Sequence, residues 1–298
     1  MTGRRRLVKV PASSANLGPG FDVLAAALDI HLELEVTEAG GFEVDPGGDG
    51  LPDGRDNLCV RAFERLHPAD GLRFEIRSDI PLARGLGSSA AAIVAGLLAA
   101  DHMYELGLDP PDVYRHAVEL EGHPDNVAAA LFGGFAVSPP DPAADASSGP
   151  VIPVRLEPPQ GVEGVLAIPA GEVPTEEARA ALPAEVPMED AVANISAASH
   201  LVLGIERSDL TLISRGLADR LHQRRRAGVY PLSMDLLSLA GEVGAIGATV
   251  SGAGPAVLFW CFWQDTGKVV DALSGRVDND VEIRRARFTP LGADVPEL

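Results

Sequence analysis

Cysteine is scarce: Cys59 and Cys261 are the only two in 298 residues. Neither has a C-x-x-C partner or a neighbouring histidine, so both read as packing residues rather than as metal or redox centres. Basic residues are also in deficit, with 24 Lys and Arg against 43 Asp and Glu and a formal net charge of −19. That balance favours solubility and argues against broad binding to nucleic acid or anionic lipid, so any bound phosphate must be held by local features. No apolar run reaches membrane-spanning length; even the one from Ala90 stops at Asp101. Arg4 to Arg6 are followed by Leu-Val-Lys-Val rather than by a long apolar stretch, which does not read as a secretory signal, and the cytoplasm is the expected address. There is no internal repeat or low-complexity tract. What remains is a chain with 46% hydrophobic residues, long enough for one large or two medium packed domains.

The apolar spacing predicts a short strand over 6–10, a turn-rich loop of small residues over 11–21, and an apolar stretch after Asp22. Residues 31–37 alternate as a strand with one solvated face, 40–56 read as loop, 57–66 as a short helix and 74–80 as a second strand. A helix apolar on every side, and therefore buried, is expected from Ser88. The stretch 139–150, rich in Pro, Ala, Asp and Ser, is linker-like. A boundary near it gives expected domains of 1–155 and 156–298. Beyond it, 164–169 reads as a strand, 189–206 and 208–219 as helices, and 248–262 as two strands around a glycine turn.

Four segments carry chemistry. Pro81-Leu-Ala-Arg-Gly-Leu-Gly-Ser-Ser-Ala90 lies between a strand and a helix. Its glycines let backbone approach a ligand, and the helix start offers unpaired N–H groups to an anion. Ser88 or Ser89 could cap that helix or face a phosphate-bound Mg²⁺, and a plain glycine turn with a serine cap reads the same way. The Walker signature is absent, since Gly267-Lys268 lacks the preceding glycine, and a nucleophile elbow fails at the last position of Gly87-Ser-Ser-Ala-Ala. A dinucleotide fingerprint is met only in relaxed form, without the later acidic residue. The second segment, Pro11 to Asp22, places Asn16 and Asp22 where they could hold a polar amino acid or simply satisfy a turn. The third, Glu119-Leu-Glu-Gly-His-Pro-Asp-Asn126, supplies a carboxylate for Mg²⁺ and His123 and Asn126 for substrate or phosphate, though it is equally a sound helix start. The fourth, Val250-Ser-Gly-Ala-Gly-Pro-Ala256, exposes backbone N–H groups in a turn between apolar segments.

In this order and over nearly the whole chain, the four segments resemble the GHMP kinases, named for the galactokinase, homoserine kinase, mevalonate kinase and phosphomevalonate kinase families. Pro81-x3-Gly-Leu-Gly-Ser-Ser-Ala90 resembles the superfamily's nucleotide loop, and Ser251-Gly-Ala-Gly-Pro255 its C-terminal motif. Val10 to Asp22 together with Glu121-Gly-His-Pro-Asp-Asn126 is similar to the homoserine kinases in particular. The resemblance implies an α+β GHMP kinase fold, with an N-terminal domain like the second domain of ribosomal protein S5 and a C-terminal ferredoxin-like domain. It implies phosphorylation of the L-homoserine side-chain hydroxyl with ATP and Mg²⁺, a step of threonine biosynthesis.

Carried over by residue, Asn16, Asp22, His123, Arg179 and Arg226 hold the substrate, with Asn16, His123 and Asn126 at the reacting hydroxyl. The nucleotide falls to Asn57 and to Pro81, Leu82, Ala83, Arg84, Gly85, Leu86, Gly87, Ser88, Ser89, Ala90 and Ala91, and the metal to Ser89 and Glu121. Glu119 competes with Glu121, and Ser88 with Ser89. At 223–226 the chain has Gln-Arg-Arg-Arg where the family usually shows Gln-Pro-Tyr-Arg, which leaves the inward-facing arginine open. Homodimers are common in this family, and neither nucleic acid nor membrane is an expected partner. The competing readings are a GHMP kinase for mevalonate or L-threonine, and a catalytically silent protein of the same fold.

Overall fold

A computed structural model describes residues 3–48, 50–139 and 152–296; apart from Pro139, the linker-like stretch lies outside the described residues. The N-terminal half starts with β1 (Arg5–Ala15) and β2 (Leu24–Glu38), an antiparallel pair whose register shifts between Pro11 and Ala12. A proline is tolerated at such an irregularity because no ladder N–H is lost there. The expected loop over 11–21 is corrected by this pairing. Ala12, Ser13, Ser14 and Ala15 continue the strand, fully buried, because side chains this small let helices lie directly on the sheet. Only 16–23 is left to turn.

The chain continues through β3 (Glu43–Asp45), inside what reads as loop, then α1 (Leu58–Glu64), β4 (Leu72–Ser78), α2 (Ser88–Tyr104), α3 (Pro110–Glu121), α4 (Asp125–Phe132), β5 (Phe135–Val137) and β6 (Val154–Leu156). The sheet runs β3-β4-β2-β5-β6 with β1 on β2. Helix α2 is apolar all round because it is packed all round, against α1, α3, α4 and the sheet. A Cβ at Gly96 would stand 2.2 Å from the Cys59 carbonyl oxygen, which fixes how closely α1 and α2 approach.

The C-terminal half comprises β7 (Val162–Pro169), α5 (Thr175–Ala180), α6 (Met188–Arg207), α7 (Leu210–Gly216), a 3₁₀ turn at Arg224–Arg226, α8 (Pro231–Ser238), β8 (Gly247–Val250), β9 (Val257–Phe262), α9 (Thr266–Ser274) and β10 (Val281–Ala286). Its antiparallel sheet runs β10-β7-β9-β8. With helices after its first and third strands, this is the ferredoxin-like order expected from the sequence. Alternation along β7 divides its side chains between two cores. Val165 and Ala167 pack under α8 and α9, whereas Leu166 and Ile168 face the N-terminal half with Leu258 and Trp260. Trp260 meets Phe135 and Phe288 at ring separations of 5.7 and 5.1 Å, so one hydrophobic core spans both sheets. The chain end returns to the first sheet through the Lys9–Asp294 and Leu28–Phe288 bridges. Two halves joined by a shared core hold their loops in fixed relation at the seam.

Candidate active site

Three loops meet at that seam. Asn16, with φ +68°, donates from Nδ2 to the Gly252 carbonyl (2.8 Å) and accepts the Asp22 N–H at Oδ1 (2.9 Å). The asparagine therefore does the turn work expected of an ordinary loop and also ties the first segment to the fourth. Ser251 Oγ donates to the Gly85 carbonyl (2.7 Å) and meets Ser14 Oγ (2.8 Å). Gly85 and Gly87 both have positive φ, and neither position has room for a Cβ: it would lie 2.1 Å from Ser251 O in the first case and 2.1 Å from Ser13 Oγ in the second. Ser13 in turn donates to Asn126 Oδ1 at 2.8 Å. Four segments distant in sequence thus interlock through small residues.

The serine-cap expectation at 88–89 is corrected. Gly87 occupies the cap position of α2 and no side chain caps the helix, so its first N–H groups are left for an anion. Ser89 Oγ donates instead to Glu121 Oε1 at 2.5 Å. Glu121 has a nearly buried side chain, and burial pushes its carboxyl above the usual carboxylate range. Glu119, the competing carboxylate, faces outward and pairs with Arg65 and Arg115. His123 stands between two carboxylates, with Nδ1 3.2 Å from Asp125 Oδ1 and Nε2 3.8 Å from Glu121 Oε1. The Asp125 hydrogen bond, aided by the Asp125, Glu121 and Asp22 charges, raises its pKa and favours the imidazolium.

A cavity of about 260 Å³ is lined by Asn16, Asp22, Ala83, Gly85 to Ser89, Glu121, His123, Asn126, Arg179 and Arg226. Phe21 and Asp125 also face it. Sequence reasoning gave neither a role. Asp125 stood inside a quoted motif but read as a helix-start residue, and no local signal marks Phe21. Arg179 and Asp22 form a two-pronged ion pair, both N–O distances 2.8 Å. Among the three clustered arginines, Arg226 is buried and faces the cavity, Arg224 is exposed, and Arg225 pairs with Asp190 at 3.0 Å.

A second cavity of about 370 Å³ shares Ser88 and Ser89 with the first and is walled by Leu32, Leu51, Asn57, Leu58, Ile76, Ile80, Leu82 and Ala92. Asn57 caps α1 by accepting the Cys59 N–H (2.9 Å) and donates to the Pro52 carbonyl (3.0 Å). Several residues expected at the nucleotide do not present side chains to either cavity. Arg84 is turned to the carbonyls of Pro169, Ala170 and Leu82, locking the loop to the C-terminal half. Ala90 is buried in the packing, as is Ala91, whose N–H donates to the Gly87 carbonyl, and Pro81 lines neither space.

An uncapped helix start, a glycine cradle and an adjoining apolar slot fit a nucleoside phosphate, and the charged cavity beyond fits a small charged acceptor. Family models described as "GHMP kinases N terminal domain" and "GHMP kinases C terminal" match residues 57–134 and 201–278. The homoserine kinase of Moorella thermoacetica is 40% identical over 263 residues, 86% of this chain and 87% of that protein. The homoserine kinase of Thermus thermophilus is 42% identical over 270 residues, 89% of this chain and 90% of its own. The chain belongs to the homoserine kinase family of GHMP kinases. The crystal structure of homoserine kinase from Cytophaga hutchinsonii superposes with a TM-score of 0.83 at 28% identity, covering 98% of this chain and 97% of that one. A mevalonate kinase structure, at 13% identity and a TM-score of 0.70, shares the fold. The α+β GHMP kinase fold expected from the motifs is the fold found. The chain is accordingly a kinase, an ATP-using phosphotransferase, and among the described residues no helix is long and apolar enough to cross a membrane.

Proposed function

We propose that this kinase transfers the γ-phosphoryl group of ATP to the side-chain hydroxyl of L-homoserine. The observation that carries the reading is the union, in one cavity, of an anion cradle at Gly85–Ser89 with a carboxylate, Asp22, and two guanidiniums, Arg179 and Arg226. An α-amino acid offers an ammonium to the first and a carboxylate to the other two. A neutral sugar would use none of these charges, and mevalonate, which has no ammonium, would offer nothing of its own to Asp22.

In this reading the nucleotide's base enters the apolar slot beside Asn57 and Leu82, and its phosphates lie along the start of α2. Mg²⁺ fits the oxygen donors Ser89 and Glu121, which stand 2.5 Å apart; burial favours the protonated carboxyl of the empty site, and a bound hard cation would favour the ionised one. No group of three or more His, Cys, Asp and Glu among the described residues is arranged to hold a metal ion by itself, and a nucleotide-borne Mg²⁺ does not require one. When bound, the metal would neutralise phosphate charge.

The protein's own contribution is positioning and charge. Asn126, its Oδ1 held by Ser13, lines the cavity where the acceptor hydroxyl would lie, and His123, biased toward its protonated form by Asp125, can place positive charge beside the transferring group. Every carboxylate lining the cavity already has a partner: Asp22 has Arg179, Glu121 has Ser89 and Asp125 has His123. None is poised as a general base, so the hydroxyl proton passes to a phosphate oxygen. The test is ADP release from ATP-Mg²⁺ with L-homoserine, L-threonine, mevalonate and galactose compared. Turnover with homoserine well above the other three is expected; preference for another acceptor sinks the assignment.

A further inference from the structure

Behind the acceptor cavity sits a buried imidazole that the reaction itself does not touch. His222 is 1% exposed. Its Nε2 lies 2.8 Å from the Gly18 carbonyl oxygen, and its Nδ1 lies 3.2 Å from Arg226 Nη1. The two contacts fix its protonation. A carbonyl only accepts, so Nε2 carries the hydrogen; a guanidinium only donates, so Nδ1 must be bare. Arg226 is further held by Nε donating to the Ala178 carbonyl at 2.8 Å. Two of its five N–H donors are thereby committed, Tyr230 stands beside the guanidinium, and Arg226 lines the cavity. The Phe21 ring, 5.3 Å from the imidazole and 5.1 Å from the Arg226 guanidinium carbon, seals the arrangement.

We propose that His222 is a positioning residue for the acceptor, a neutral bridge that holds the 16–22 loop through Gly18 while aiming Arg226 at the substrate carboxylate. The proposal rests on the reading of Arg226 and Asp22 as acceptor ligands. It gives the bridge two ends with one purpose. Gly18 lies between Asn16 and Asp22, and its tight turn tolerates no shift, since a Cβ there would meet the Leu217 carbonyl oxygen at 2.8 Å. The imidazole therefore couples the ammonium-binding and carboxylate-binding sides of one pocket across the seam between the halves.

The bridge works in one protonation state. The charged groups facing it are Arg226, Asp22 and Asp219, whose Oδ2 is 3.9 Å from Nε2 and accepts the His222 and Gln223 N–H groups. Around Arg226 stand Arg179 and Tyr230. Burial and Arg226 hold the imidazole below the usual histidine range, with Asp219 and Asp22 opposing. Acid would place a proton on Nδ1, facing a guanidinium, and dismiss Arg226 from its aim. Affinity for the amino acid should then fall as pH drops, while ATP binding, on the far side of Ser88, should not follow.

The experiment uses the full chain with homoserine varied from about pH 5 to 8, reaching the acid end of the histidine range because the buried imidazole is held low. In His222→Leu the homoserine KM is expected to rise about 10- to 100-fold, with the ATP KM within about twofold. His222→Gln can donate to Gly18 and accept from Arg226, and should return the homoserine KM to within about fivefold of wild type. It should also abolish the acid-side rise in that KM. A Leu variant that moves both KM values together, a Gln variant no better than Leu, or an acid rise that persists in Gln would overturn the proposal. Should Leu fail to fold, the Gln pH profile decides alone. A ¹⁵N spectrum of the wild-type imidazole provides a readout without turnover: Nε2–H is expected, and Nδ1–H refutes the bridge. Absence of wild-type turnover with homoserine would instead sink the acceptor assignment, leaving that spectrum to judge His222 separately.

Discussion

The two cavities that meet at Ser88 and Ser89 are built in opposite ways. The apolar one draws every wall from residues 32–92, a single stretch of one half, and its lining is mostly apolar. The polar one gathers residues from Ala15 to Ala253 across both halves and concentrates Asp22, Glu121, His123, Asp125, Arg179 and Arg226 in about 260 Å³. The first discriminates by shape and burial, the second by charge placed to sub-ångström tolerance. A site of the first kind survives modest repacking. One of the second kind depends on every loop that carries a charge, and therefore on the interlock of Ser13, Asn16, Gly87 and Gly252 beneath it.

The largest effect should come from the glycine just before the two serines that the cavities share. Gly87→Ala would push a Cβ to 2.1 Å from Ser13 Oγ and 2.9 Å from Asn126 Oδ1 at φ +69°, so the cradle and Asn126 must shift together. We expect kcat/KM to fall by about 10³ or more, with a stability loss of about 1–3 kcal/mol visible in a thermal melt. Arg226→Met should separate the cavities: the homoserine KM rises about 30- to 1,000-fold, as expected for losing a guanidinium–carboxylate pair, and the ATP KM stays near wild type. Parallel rises would mean the two spaces are not independent. Glu121→Gln should lower Mg²⁺-dependent turnover about 100-fold while raising the melting temperature of the ligand-free protein. The sign follows from the raised pKa: the folded protein holds the Glu121 proton more tightly than the unfolded chain, so stability falls as pH rises from the usual glutamate range through the elevated folded value. A melt unchanged in pH dependence would remove that cost. Asp22→Asn should raise the homoserine KM about 10- to 100-fold with kcat largely spared; a selective collapse of kcat would recast Asp22 as a base.

Legibility followed the same division. Helix α2 and the loop before it were readable because buried helices and glycine turns leave local patterns, and the ferredoxin-like order of the C-terminal sheet accompanied the family motifs. The strand through Ala12–Ala15 was not readable, since Ala-Ser-Ser-Ala has the composition of a turn and becomes strand only by pairing with Ala25–Leu28 and by burial under α2 and α4. Asn16, Asp22, His123, Asn126, Arg179 and Arg226 could be named from motifs, and the fold gathers all six around one cavity. What motifs could not convey was who holds whom. Arg84 sits in the nucleotide loop yet spends its guanidinium on carbonyls of the other half, and His222 lies within a run of arginines yet serves the first loop, 204 residues away. Such pairings have large sequence separation and no periodicity, so only the packed structure exposes them.

The smallest effect tests whether the apolar cavity is purely a matter of shape. Asn57 has two structural duties, the α1 cap and the tie to Pro52, and it also forms part of the slot wall. Asn57→Ala loses both bonds, which should cost about 1 kcal/mol for the cap and raise the ATP KM about three- to tenfold without moving the homoserine KM. Asn57→Asp keeps an oxygen for the Cys59 N–H but gives up the donor to Pro52. If Asp restores the melting temperature and the ATP KM together, capping is the whole contribution and the slot recognises its ligand by burial. If the melt recovers while the ATP KM stays high, the amide donor matters to the nucleotide itself or to the Pro52 turn that lines its slot. The contrast between a shape-read and a charge-read cavity would then narrow to a difference of degree.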